Sequence, residues 1–175
     1  MTVEVTFCVN INRDLCVSEE EINANFDTFR LELLEDGNYY GEVLNGAVVI
    51  SSPGQPDIRV EDELEATVHN LCFQFIPDLV AEKHIVVTYF RYYGYLRLDP
   101  EGDYVLLSGD SVPMVRILRD ELAPALYNCG LRFIKFWRRL RDDPAYEEIF
   151  QDFEGLAEVA RQSLESKKLK IGLSD

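Results

Sequence analysis

No stretch constrains the fold of this chain more than Val86 to Gly109, which reads VVTYFRYYGYLRLDPEGDYVLLSG. Two alternating runs meet at Asp99-Pro100-Glu101-Gly102, where proline presets a turn and glycine supplies the positive φ that closes it. The stretch predicts a β-hairpin. Strand side chains alternate between faces, so Val86, Thr88, Phe90, Tyr92, Gly94, Leu96 and Leu98 are expected on one side of the first run. Val87, Tyr89, Arg91, Tyr93, Tyr95 and Arg97 then fall on the other. Tyrosine and arginine carry much of the binding energy at protein interfaces, because each offers a large, rigid contact surface with a polar tip. The competing expectation is that a helix covers this face and the arginines reach out at its rim.

The rest of the chain supplies elements to pack with that hairpin. Thr2 to Ile11 alternates with Val3, Val5, Phe7, Val9 and Ile11 inward, a half-buried strand. Ser18 before Glu19, Glu20 and Glu21 is an N-cap with acids at the positive end of a short helix running to about Phe26. From Thr28 the spacing reads as period two, and Asp36-Gly37 and Asn45-Gly46 look like hairpin turns, so a three-stranded meander is expected over residues 28–51. Pro53-Gly54-Gln55-Pro56 is a loop. The five acids between Asp57 and Glu65 suit the start of a helix whose stripe is Leu64, Val68, Leu71, Phe75 and Leu79, ended or kinked at Pro77.

Beyond the hairpin, Ser111 and Pro113 read as the start of a long bent helix. Its apolar spacing runs from Val115 to Leu140, with a break at Asn128-Cys129-Gly130 as the competitor. A final helix, from Ala145 to about Ser166, carries Ile149, Phe153, Leu156, Val159, Ala160 and Leu164 along one face, and the tail from Lys167 is expected to fray. The expected architecture is therefore α+β: a single domain with a mostly antiparallel sheet of about six strands, helices packed on it, and a helical C-terminal part. Residues 1–110 form the sheet-rich part, 111–168 the helical part and 169–175 the tail.

Charge narrows the function. Residues 1–110 carry 6 Lys and Arg against 21 Asp and Glu, whereas 111–175 carry 11 of each, so the whole net charge of −15 resides in the first part. Such a field repels nucleic acid and anionic lipid and steers a basic protein toward the chain. Leu131 to Arg141, LRFIKFWRRLR, holds five cations and no acid. Its aromatic side must be buried somewhere, and the expectation is that it packs internally with its basic side near the protein's own acids. The start of the chain lacks a charged-then-apolar leader, no apolar run approaches the length of a membrane span, and the four cysteines are scattered. These features suggest a cytoplasmic protein whose cysteines are buried free thiols.

Chemistry is harder to find. Neither a phosphate-binding glycine loop nor a nucleophile elbow nor a His-Glu-x-x-His pair occurs. His69 follows Glu61 and Glu65 at helical spacing, which could hold a metal with help from elsewhere but fits a solvated helix face as well. His84 reads as a helix-end residue. Acid pairs such as Asp57 with Glu61, or Asp99, Glu101 and Asp103, are too cheap among 32 acids to mark a catalytic site.

The expected function is a non-enzymatic acidic protein-binding module, in concrete form a neutraliser or inhibitor of a basic, nucleic-acid-binding protein in the style of an immunity protein. Its expected binding residues are Tyr89, Arg91, Tyr93, Tyr95 and Arg97 with Asp57, Glu61, Asp62 and Glu65; no catalytic residue, metal or cofactor is assigned, and neither nucleic acid nor membrane is a direct partner. Two alternatives stand beside it: a hydrolase-type enzyme with a dispersed carboxylate and histidine site, and an oligomeric assembly subunit using the tyrosine face.

Overall fold

The computed structural model describes residues 2–11, 15–35, 43–90 and 94–169. It is α+β, with two four-stranded antiparallel sheets where about six strands in one sheet were expected. The first has the order β2-β1-β3-β4, made of β1 (Glu4–Asn10), β2 (Cys16–Ser18), β3 (Asn45–Ser51) and β4 (Ile58–Glu63). The second is a simple meander, β5 (Ile85–Thr88), β6 (Tyr95–Glu101), β7 (Tyr104–Gly109) and β8 (Val112–Leu118). Helices α1 (Glu19–Ala24) and α2 (Phe26–Glu35) follow β2. Between the sheets the chain winds through α3 (Leu64–Thr67), a π-helical stretch (Val68–Gln74) and α4 (Ile76–Val80), and it ends in α5 (Arg119–Leu140) and α6 (Glu147–Ser166).

One continuous core joins both sheets and the helices. Val5, Phe7 and Val9 from β1 pack with Phe133, Phe136 and Trp137 of α5, and the inward row of the second sheet, Val87, Leu96, Leu98, Val105 and Leu107, belongs to the same cluster. Phe7 meets Phe133 edge-on with ring centroids 5.4 Å apart, the arrangement that ring quadrupoles favour. Ser18 caps α1 by accepting from the Glu21 N–H at 3.3 Å, as its sequence predicts.

Several expectations fail for local reasons. Residues 26–35 are helical, not a strand: Phe26 and Leu33 lie seven apart on one buried side, and the leucines, glutamates and arginine around them are good helix formers. Asn45-Gly46 opens β3 instead of turning, because a Cβ at Gly46 would sit 2.1 Å from the Cys8 carbonyl oxygen of the neighbouring strand. The turn before β4 is made at Gly54, with φ +74°. Asp57 to Glu63 leads into and forms β4, so its acids lie along a strand. Ser111, with φ +60°, sits in the turn into β8, and helix α5 starts only at Arg119. From there α5 runs unbroken through Pro124 and Gly130. Along α6 the buried row is Phe150, Phe153, Ala157, Ala160 and Leu164, leaving Ile149 and Val159 exposed.

Cysteine pairing is a further correction. Cys8 and Cys16, on adjacent antiparallel strands with Cα atoms 5.8 Å apart, are joined by a disulfide, while Cys72 and Cys129 are free and buried. Among the described residues, no helix is long and apolar enough to cross a membrane. The expected turn at Asp36-Gly37, residues 39–42 of the expected meander and positions 170–175 of the tail lie outside the described residues.

Candidate functional site

The tyrosine and arginine run does not form one continuous strand. The Tyr89 N–H donates to the Gly94 carbonyl at 3.2 Å, closing a turn between β5 and β6, and the strand phase resets there. Tyr89 therefore follows Ile85 and Val87 and packs against the core, where burial, followed by the nearby carboxylates Asp110 and Asp62, raises its phenol pKa. Tyr95 pairs with Thr88, and Arg97 with Val86, on the opposite, outer face. Arg91 and Tyr93 lie outside the described residues.

That outer face is uncovered by the described residues. Val86 and Thr88 of β5, Tyr95 and Arg97 of β6, Tyr104 and Leu106 of β7, and Met114 and Arg116 of β8 alternate with the buried rows. Met114 is 70% and Phe90, just beyond β5, 66% exposed. Arg97 stands 5.1 Å from the Tyr95 ring centroid and Arg116 3.9 Å from that of Tyr104, so each guanidinium is held by a ring beside it. Acids rim the face: Asp99 bonds His84, Glu101 pairs with Arg116 at 3.2 Å, and Asp103 and Asp110 are exposed.

The four expected binding acids do not join it as a cluster. Asp57 is exposed ahead of β4, and Glu61 points outward from β4 and pairs with Arg59 at 3.1 Å. Asp62 faces inward, only 3% exposed, and accepts from the Phe90 N–H, tying the end of β4 to the end of β5. Glu65 turns inward too and accepts from the Leu44 N–H at 2.9 and 3.1 Å. Burial pushes its pKa up to about 7, against the lowering effect of that backbone N–H and of Arg141. His69 is drawn away to Asp152 on α6 at 3.2 Å, so Glu61, Glu65 and His69 do not converge. Among the described residues no three His, Cys, Asp or Glu side chains are placed to hold a metal ion.

The basic run of α5 packs as its sequence suggests. Phe133, Phe136, Trp137 and Leu140 are buried, while Arg132 pairs with Glu19 at 2.6 Å and Arg138 with Glu154 at 2.7 Å. Arg139 lies over the Phe26 ring.

A second feature has no counterpart in the sequence reading. A cleft of about 1000 Å³ opens between β1, α1, α5 and the residues Lys168 and Leu169 that follow α6. Glu4, Glu19, Glu20, Asp120 and Glu121 line it, against two cations, Arg132 and Lys168. These acids are assembled from the start of the chain and from the start of α5, far apart in sequence, so no local motif announces them.

The chain matches no protein-family model, no curated protein and no solved structure, and both surfaces stand on their own geometry.

Proposed function

We propose that this chain is a non-enzymatic acidic binding module that grips a basic protein, as a neutraliser or inhibitor does, with the outer face of β5 to β8 as the gripping surface. The observation that carries this reading is the composition of that face. Val86, Met114 and Leu118, three of the exposed large apolar side chains, share it with two arginine–tyrosine pairs and a rim of acids, and the exposed Phe90 follows just beyond the end of β5. Exposed apolar side chains beside ring-held arginines are residue types enriched at protein interfaces. A net charge of −15 steers a cationic partner toward it.

Two substitutions test it without touching the core: Met114→Asp and Phe90→Ser, both at strongly exposed positions. The parent chain should capture a basic protein from lysate of its source cells at low salt, and each variant should fold normally but lose that protein. Capture undiminished in both variants would overturn the reading. A parent chain that is dimeric by light scattering, and monomeric as Met114→Asp, would assign the face to self-assembly instead.

A further inference from the structure

The acid-lined cleft borders an open stretch of sheet edge. Strand β2 pairs with β1 only from Cys8 to Asn10, whereas β3 runs beside Glu4 to Val9 on the other side. Below Cys8, the outer edge of β1 therefore faces the cleft. Backbone groups in a strand point alternately to its two edges, and side chains hold two of those on this edge. The Val3 N–H donates to Glu121 at 3.2 Å, and the Val5 carbonyl accepts from Arg132 at 2.7 Å. A carboxylate and a guanidinium thus occupy positions that a neighbouring strand's C=O and N–H would fill.

Around that edge the cleft carries five acids against two cations. Glu4 and Glu20 are exposed and carry no ion pair among the described residues. Asn128 Oδ1 is buried without a hydrogen-bond donor among them. Pro124, on the α5 wall, has no N–H to give the Asp120 carbonyl one turn earlier. Buried or half-buried acceptors without donors are costly, and a ligand bearing several N–H groups relieves that cost.

We infer that this cleft takes an extended basic segment of a partner protein, which adds as a strand to the open edge of β1 at Val3 and Val5. Its main chain replaces the Glu121 and Arg132 side chains on that edge, the recognition mode in which a peptide extends a sheet. Its side chains alternate. Those on the Glu4 side are lysine or arginine and meet Glu4 and Glu20; those on the α5 side are apolar and lie against Pro124 and Ala125, which leave room for them. The inference rests on the reading of the chain as a binder of basic proteins, but it uses a surface distinct from the outer face of β5 to β8.

The probe is a fluorescent heptapeptide of alternating lysine and valine, titrated into the full chain at low ionic strength and followed by anisotropy. Saturable one-to-one binding is expected. It should weaken about tenfold or more in the doubly exposed variant Glu4→Lys with Glu20→Lys, and by a similar factor when alternate peptide nitrogens are methylated, which removes edge N–H groups and leaves the charge intact. Equal affinity for the methylated peptide, or for the charge-reversed cleft, would overturn the inference by reducing the binding to long-range attraction. Met114→Asp separates the two readings, since it should leave peptide affinity unchanged while abolishing partner capture. Peptide binding that fails beside intact, Met114-sensitive capture removes the cleft inference alone; peptide binding that holds beside capture insensitive to Met114 and Phe90 removes the outer-face reading alone.

Discussion

The side chain whose behaviour is most altered by its surroundings is Glu65, one of the acids expected on the binding surface and found instead beneath residue 44. Burial raises its pKa from 4.5 to about 7, so the fold favours the protonated form more than the unfolded chain does. The stabilising contribution is fully present below about pH 4.5 and is lost as pH rises through about 7, a swing of about 3 kcal/mol. Glu65→Gln is neutral at every pH and keeps an oxygen for the Leu44 N–H. Relative to the parent, it should be nearly neutral at about pH 4 and stabilising by up to about 3 kcal/mol at about pH 8, read from urea midpoints at each pH. A constant difference across that range would mean that Glu65 titrates normally. Asp62 shows that an acid in an alternating strand can likewise face inward when a backbone N–H, here that of Phe90, awaits it.

At the scale of elements, α5 shows how a glycine can be needed without breaking anything. A Cβ at position 130 would lie 2.4 Å from the Phe73 ring and 2.9 Å from the Cys72 Cβ, so Gly130 lets the π-helical stretch press directly against α5. Gly130→Ala gains up to about 1 kcal/mol of helix propensity but overpacks a site that yields little, which typically costs about 1–3 kcal/mol. The expected outcome is a net loss of about 1–2 kcal/mol in urea unfolding with helix content unchanged by circular dichroism. Helix breakers therefore read ambiguously in one dimension, since the close neighbour that demands a glycine is invisible there. Elsewhere the elements were legible where one period ruled alone, as in β1 and α6; the turn expected at Asp99-Pro100-Glu101-Gly102 falls later, at Gly102 with φ +65° and Asp103, because Asp99, Pro100 and Glu101 stay in β6 opposite Leu106, Val105 and Tyr104. They were misread where two periods fit the same residues. Phe29, Leu31 and Leu33 alternate, yet Phe26 and Leu33 also share a helix face, and packing settles the choice in favour of α2. Val115, Leu118 and Leu122 keep helical spacing across the junction of β8 and α5, which hid the strand.

Over the whole molecule, what sequence conveyed was the charge, and what it could not convey was its arrangement. The single tyrosine face dissolved because a turn between Tyr89 and Gly94 resets strand phase, sending Tyr89 inward and Tyr95 outward. The cleft acids come from β1, α1 and α5, and only the folded chain brings them together. The excess itself has a consequence that does not depend on their positions. With 32 acids and 17 Lys and Arg, fifteen negative charges are left unbalanced in any geometry, and their mutual repulsion opposes compactness. Salt weakens both this repulsion and the attractive ion pairs. The ion pairs among the described residues, such as Arg161 with Glu158 and Glu165, are largely exposed, and pairs of that kind contribute little to stability. Screening should therefore stabilise on balance, and Tm should rise as sodium chloride is added from low to physiological ionic strength, where the screening length falls to about 8 Å. Affinity for a basic partner, driven by the same field, should fall over the same range. Thermal unfolding and peptide anisotropy in one salt series test both signs: a Tm that falls with salt would make the surface ion pairs, rather than the uncompensated acids, the dominant electrostatic contribution to the fold.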